Sequence, residues 1–230
     1  MKIGIITAMA DETTPLYQKM GKATGEINVA GVTIFKYDID GNEIFLVRSG
    51  VGEIRAAMTF QLLVDKFDVD AVLNFGFVGS LDNTFDVGDL VLAEKIVHYQ
   101  FDTSAIDNVS AGQYDGNDSI FFTADSNLIG KVQKELDSPL PQVVVASGDK
   151  FIASREDKEY LRSLGAQICE MECAGLVIAS VRNNVPLLSI KVISDKADES
   201  ADVSFADVVK KGLTRYEQIF PAVLKAVCGK

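Results

Sequence analysis

The sequence is poor in the residues that most often announce chemistry. It has one histidine, three cysteines and no tryptophan in 230 residues. With His98 alone, a zinc site built on histidines is excluded, and a Ser–His–Asp triad has a single candidate base. Cys169, Cys173 and Cys228 are odd in number and contain no CxxC pair. A disulfide framework is therefore not expected, which suits a reducing cytoplasm. GxGxxG and GxxxxGK[ST] are both missing, so neither nucleotide-phosphate signature is present. No apolar run approaches the roughly 18 residues of a membrane span. The first residues reach Asp11 and Glu12 too soon for a signal peptide. Positive charge is scarce as well: 22 Lys and Arg against 33 Asp and Glu leave a net charge of −11. That disfavours nucleic acid, an anionic membrane or a polyanionic substrate as partner, and suits a neutral or zwitterionic small molecule.

What the sequence does have is a series of short apolar runs bounded by Gly, Asp or Asn. Strands are expected at 2–7, 32–38, 43–49, 71–75, 87–97, 142–146, 167–171 and 187–193. Asp40-Gly41-Asn42 is a hairpin turn signal between the second and third. Apolar residues at helical spacing predict helices over 54–67, 126–136, 156–164, 174–183 and 205–226. Strands alternating with helices, plus one early hairpin, give an α/β fold with a mixed central sheet between helix layers. The least regular stretch, 102–118, reads as a long polar loop. No repeat or linker interrupts residues 1–230, so one domain is expected.

Three acids sit at strand-to-helix junctions. Glu12 follows Ile3–Ile6, Glu172 precedes an apolar helix, and Asp195 follows the run Pro186–Ile193. Carboxyls at the ends of buried strands are rigidly placed in low dielectric, where their pKa rises toward values useful for proton transfer. Each also has a plainer reading. Glu12 reads equally as a solvated loop acid, Glu172 as a charge favouring the next helix N-terminus, and Asp195 as a cap. Gly50-Val51-Gly52 and Gly76-Phe77-Val78-Gly79 each follow a strand. They are either backbone approaches to a ligand or tight strand exits. Phe151, just past a strand, is either a ring for stacking on a planar ligand or core. His98 reads as a partly exposed strand residue.

Taken in order, Met9-Ala-Asp-Glu12, Ser49-Gly-Val-Gly52, Asn74-Phe-Gly-Phe-Val-Gly79, Val87-Gly-Asp89, Ser147-Gly-Asp-Lys-Phe-Ile152, Glu170-Met-Glu172, Ser194-Asp-Lys-Ala-Asp198 and Ser204-Phe205 resemble one family. It is the methylthioadenosine/S-adenosylhomocysteine nucleosidases, of the nucleoside phosphorylase superfamily, and the resemblance runs from Met1 to about Ala226. It implies a single-domain, three-layer α/β/α fold and hydrolysis of a purine nucleoside in methionine salvage. No cofactor or metal is implied, and the expected assembly is a homodimer whose long loop borders the partner's site.

The resemblance also implies roles. Asp195 would protonate the purine at N7, Glu172 would bind the ribose hydroxyls, and Glu12 would deprotonate the attacking water. Met171 would pack beneath the sugar and Phe151 on the purine. Ile152 would read the purine edge through its backbone, with Gly79 and Ser194 also against the substrate. Met9, Val51 and Phe205 would line the 5′ pocket.

Two places depart from the family pattern. Phe77 stands where serine is usual, beside the expected ribose and water, and 98–106 differs from the usual loop. Phosphorolytic relatives grip phosphate with an arginine and a serine, in slots that here hold Asn74 and Phe77. The resemblance therefore implies hydrolysis, with phosphorolysis, or nucleoside binding without catalysis, as alternatives.

Overall fold

The structure is a computed structural model. It describes the backbone of residues 1–197 and 205–229, and the side chains of 1–197 and 214–229. The elements, in order, are β1 (Lys2–Thr7), α1 (Ala10–Met20), β2 (Gly25–Val29), β3 (Val32–Ile39), β4 (Asn42–Arg48) and α2 (Glu53–Phe67). There follow β5 (Ala71–Ser80), β6 (Leu90–His98), β7 (Phe121–Thr123), α3 (Ser126–Glu135) and β8 (Gln142–Ser147). The last are α4 (Arg155–Ser163), β9 (Ile168–Glu170), α5 (Cys173–Asn183), β10 (Leu187–Asp195) and α6 (Phe205–Cys228).

Strands β4, β1, β5 and β10 lie side by side and parallel. The hairpin strand β3 and then β2 continue antiparallel from β4. Beyond β5 the sheet closes on itself. β10 pairs β6, β6 pairs β8, β8 pairs β9, and β9 returns to β5 at Gly79 and Ser80. The mixed α/β sheet matches expectation, whereas its closure is a non-local feature with no counterpart in the apolar runs. The closure matters for function, because it brings the ends of β5, β9 and β10 to one place.

Alternation along the strands sorts side chains to two faces. Ile3, Ile5, Leu73, Phe75, Ile190 and Val192 share a core with Leu128 and Val132 of α3 and with Tyr216, Phe220 and Val223 of α6. Ile6, Val72, Leu187 and Ile193 share another with Phe60 and Leu63 of α2 and Leu176 and Val177 of α5. Ends are set by local chemistry. The Asp125 and Ser154 side chains accept from Leu128 N–H and Asp157 N–H to start α3 and α4. Asp68 and Asn184 adopt the left-handed conformation that ends α2 and α5.

The structure corrects several strand ends: β6 begins at Leu90 and not at 87, and β9 ends at Glu170 and not at 171. The apolar run predicts that β5 stops at Phe75, yet it runs on through Gly76 to Ser80. Gly76 and Gly79 are therefore not loop glycines. A Cβ on Gly76 would lie 3.1 Å from Lys191 Nζ and 3.2 Å from Glu12 Oε1. One on Gly79 would lie 3.0 Å from Asp195 Oδ1. These glycines keep the strand bare where other chains press against it. By contrast, Gly50 and Gly52, at φ 84° and 112°, do make a tight strand exit. Helix α1 and strands β2 and β7 carry no clear sequence signal. Thr13, Thr14 and Pro15 weaken the helical pattern of α1, β2 is short with alternate residues exposed, and β7 has three residues.

Candidate active site

The three junction acids meet. Glu12, Glu172 and Asp195 line one cavity of about 290 Å³, together with Met9, Val51, Phe77, Gly79, Phe151, Met171 and Ser194. Ile152 lines a smaller cavity of about 30 Å³ that shares Gly79, Phe151 and Asp195. Phe205 begins α6, and its side chain lies outside the described residues, as do Asp198 and Ser204. Among the described residues no group of His, Cys, Asp or Glu is placed to hold a metal ion.

Glu12 is not a solvated loop acid. It sits in the first turn of α1, 2% exposed. Its Oε2 accepts from Ala8 N–H (2.7 Å) and Met9 N–H (2.9 Å), and its Oε1 accepts from Phe77 N–H (2.9 Å). The carboxyl is thus fixed at both oxygens. Burial raises its pKa, against the pull of those N–H groups and of Lys191. A carboxylate so raised is a better base near neutral pH.

Glu172 occupies the N-cap position of α5, but another residue satisfies that helix. Glu170 accepts from Cys173 N–H (2.9 Å) and Glu172 N–H (3.1 Å). The Glu172 carboxyl is left free to accept from Gly52 N–H at 3.0 Å, across the cavity wall. Burial and the neighbouring Glu170 push it up to about 7.

Asp195 combines both readings. Its Oδ1 accepts from Ala197 N–H (2.7 Å) as a turn cap, and its Oδ2 accepts from Ser194 Oγ (2.7 Å). It also faces the cavity. The register slips between Ile193 and Asp195, a bulge that pairs Asp195 with Gly79 and re-aims the side chain at the strand end.

The rim residues divide. Phe151 is 60% exposed and stands at the mouth, so the reading of it as core is excluded. Phe77 is 8% exposed and has a double position. Its ring lines the cavity and also packs in the α6 core, 6.4 Å from the Tyr216 ring. Tyr216 in turn accepts from Gly76 N–H (2.9 Å) and donates to Gly76 O, clamping β5 beneath Glu12. Asn74 is committed to the interior. Its amide donates to Ile6 O (3.1 Å) and its oxygen accepts from Ser189 Oγ (2.8 Å), so it does not replace the phosphate-gripping arginine. His98 is half-buried, with Nδ1 2.8 Å from Tyr114 Oη and its ring beside the stacked pair Phe101 and Tyr114. Burial lowers its pKa, against Asp149. It does not line the cavity.

Two residues of consequence were not singled out in the sequence. Lys191 is a lysine in a central strand, 1% exposed, and its ammonium donates to Glu170 Oε2 at 3.1 Å. Burial opposes the Lys191 charge, but the surrounding acids raise its pKa well above the usual value. Glu170 is likewise buried, and Lys191, with Ser147 and Cys173 N–H, holds it below the usual carboxylate value. The available signal was the lysine itself, since a charge inside the apolar run Pro186–Ile193 requires a buried partner. Cys169 also lines the cavity, 6% exposed and next to Gly79 O.

Comparison with known proteins gives the same grouping. A model of the phosphorylase superfamily matches residues 2–227. An aminodeoxyfutalosine nucleosidase of Campylobacter jejuni is 32% identical over 213 residues, 91% of this chain and 92% of that one. A 5′-methylthioadenosine/S-adenosylhomocysteine nucleosidase of Staphylococcus aureus is 30% identical over 229 residues, 96% and 98% of the two. The crystal structure of a Helicobacter pylori 5′-methylthioadenosine/S-adenosylhomocysteine nucleosidase complexed with an amino-pyrrolopyrimidine compound superposes at a TM-score of 0.92. The two are 31% identical, with 97% of each chain covered.

The raised acids carry a stability consequence. Glu172 keeps its proton to about 7 in the fold, against 4.5 for an ordinary glutamate. Between those values only the folded state holds the proton, so unfolding releases it and rising pH favours unfolding. The expected outcome is a urea midpoint that falls between about pH 5 and pH 7, with a smaller fall in Glu172→Gln. A wild-type midpoint that stays flat or rises across this window would contradict the assignment. The shared fold, the matched length and this set of buried acids place the chain in the phosphorylase superfamily, among nucleosidases of the methylthioadenosine/S-adenosylhomocysteine type.

Proposed function

We propose that this protein hydrolyses the N-glycosidic bond of a 5′-substituted purine nucleoside, of the methylthioadenosine/S-adenosylhomocysteine kind. The observation that carries the reading is the convergence of Glu12, Glu172 and Asp195, from three separate junctions, in one cavity. Breaking the C1′–N bond builds positive charge on the sugar and negative charge on the departing base. A proton passed from Asp195 to the purine N7 neutralises the base, and the Glu172 carboxylate, bonded to the ribose hydroxyls, favours the sugar cation. Water adds its oxygen to C1′ and gives its proton to Glu12. The products are free base and free sugar, with Asp195 reprotonated and Glu12 deprotonated by solvent. The division of labour parallels that of inverting glycosidases, in which two carboxyls serve opposite faces of the sugar.

Other residues take supporting roles in this reading. Phe151, at the mouth, stacks on the purine, while Ile152 and Gly79 meet its edge and Ser194 braces Asp195. Met171 lies under the sugar. Met9, Val51 and Phe205 bound the 5′ end, where apolar side chains suit a thioether, and Phe77 lies beside the ribose and the water. Lys191 and Glu12 both face the Gly76 backbone, each just over 3 Å from where its Cβ would be.

Water is preferred over phosphate as nucleophile because, among the described residues, no arginine or lysine lines the main cavity and Glu12 would repel a dianion. The test incubates methylthioadenosine, S-adenosylhomocysteine, aminodeoxyfutalosine, adenosine and inosine with and without phosphate. Free base and free pentose should form at a phosphate-independent rate, and Asp195→Asn should lower turnover by about 10²–10⁴-fold. A sugar 1-phosphate product, or an active Asp195→Asn, would overturn the reading.

The same reading treats residues 1–230 as one domain, working in the cytoplasm in methionine salvage, as a homodimer. Support for the dimer comes from Val51, which lines the cavity, and Ile54 and Met58, one turn apart on α2; they are 40%, 71% and 62% exposed. Ile106 in the long loop is 84% exposed. Clusters of exposed apolar residues mark interaction surfaces. Light scattering should give twice the chain mass at assay concentration, and Ile54→Asp with Met58→Asp should give the monomer. An active wild-type monomer would refute the dimer.

A further inference from the structure

Besides Glu170, which pairs with Lys191, the mechanism leaves a second buried acid unused. Glu53 opens α2, is 6% exposed and does not line the cavity. Both of its carboxyl oxygens are engaged. Ser147 Oγ donates to Oε1 and Gly175 N–H donates to Oε2. Ser147 Oγ itself accepts from Ala174 N–H at 2.9 Å. One side chain at the start of α2 thus takes up amides of the first turn of α5, one directly and one through a serine. The contact is close enough that a Cβ on Gly175 would collide with the Glu53 carbonyl oxygen.

The clasp is reciprocal. Gly52, just before Glu53, donates its N–H to the carboxyl of Glu172, the cap residue of α5. Glu53 N–H donates to Asp149 Oδ1 at 2.8 Å. Gly52 stands outside the helix at φ 112°, so helical regularity does not fix the direction of its N–H. On its C-terminal side Gly52 O accepts from Ala56 N–H at 3.0 Å, and the anchors on Glu53 hold the adjoining residue.

We propose that Glu53 is a positioning residue: by clasping the first turn of α5 it holds the Gly52 N–H on the Glu172 carboxylate and so tunes the acid that faces the sugar. The task of Glu172 rests on the nucleosidase reading, whereas the contact does not. The charged and titratable groups around the two acids are Glu170, Glu12, Lys191, Asp149, Tyr99 and Tyr114. Burial and Glu170 push Glu53 up to about 8, so it is largely uncharged at neutral pH and glutamine is its natural substitute. In Glu53→Gln the side-chain amide can accept from Gly175 N–H through its oxygen and donate to Ser147 Oγ through its nitrogen.

The experiment follows the Glu172 carboxyl by ¹³C NMR across pH 5 to 9, assigned with Glu172→Gln, in wild type, Glu53→Ala and Glu53→Gln. In parallel, kcat/KM for methylthioadenosine is measured over the same range. An N–H bonded to a carboxylate favours its charged form, so loss of the clasp should move the Glu172 step up by about half a pH unit or more. Glu53→Ala should show that shift, a matching move of the acid limb of kcat/KM, and a several-fold lower kcat/KM at pH 7. Glu53→Gln should restore all three. A residue that only adds stability would lower the melting temperature and leave the Glu172 step in place. If Glu53→Ala does not fold, Glu53→Asp, one methylene shorter, draws the carboxyl away from Ser147 Oγ and Gly175 N–H and carries the same test with the same sign. An unmoved Glu172 step in the variant that folds, or a shift in Glu53→Gln equal to that in Glu53→Ala, overturns the proposal. The NMR arm needs no turnover, so absence of base release from every nucleoside would refute the nucleosidase reading and leave the clasp separately decided.

Discussion

The site depends on one buried ion pair. Lys191 and Glu170 have side chains 1% exposed and meet at 3.1 Å. Burying either charge alone would cost several kcal/mol, and their attraction offsets that only with further hydrogen bonds. Those are present: Glu170 also accepts from two N–H groups that open α5. The pair therefore does three things at once. It neutralises a charge inside the sheet, anchors the start of α5, and sets a cation among Glu12, Glu170 and Glu172. Burial raises the pKa of Glu12, and burial with the Glu170 charge raises that of Glu172, which suits both to exchanging protons near neutrality.

Close approach is the second requirement, and bare backbone supplies it. Gly76 lets Lys191 and Glu12 press on β5, Gly79 makes room for Asp195, and Gly175 admits the start of α2. Tyr216 then holds β5 in place from the opposite face through Gly76. The acids come from junctions far apart in the chain, and their convergence follows from sheet closure, with β5 paired to both β10 and β9. Phe77 belongs to the site and to the α6 core alike. A change there would couple substrate fit to stability, where a surface rim residue such as Phe151 would alter fit alone.

Much of this was legible in the sequence, and for physical reasons. Continuous apolar runs mark parallel central strands, so β1, β4, β8 and β10 were placed closely, as was the Asp40-Gly41 turn. Glu12, Glu172 and Asp195 stood out because acids punctuate those runs. The closed circuit was hidden, since pairings such as β9 with β5 depend on residues some 90 positions apart in the chain (Gly79 with Cys169). The glycines of β5 misled as loop signals because composition does not separate a turn from a strand that must stay bare. The roles of Lys191 and Glu53 were hidden for a related reason. A lone charge in an apolar run, or one on the first turn of a helix, gains meaning only from what packs on it.

If the Lys191–Glu170 pair is the organising contact, its two halves must be energetically coupled. The direct measurement is a double-mutant cycle of Lys191→Met, Glu170→Gln and the double variant, by urea unfolding at pH 7. Each single change should cost about 3–5 kcal/mol by leaving its partner uncompensated, and the double change should cost far less than their sum. Losses that simply add would contradict the central place given to the pair.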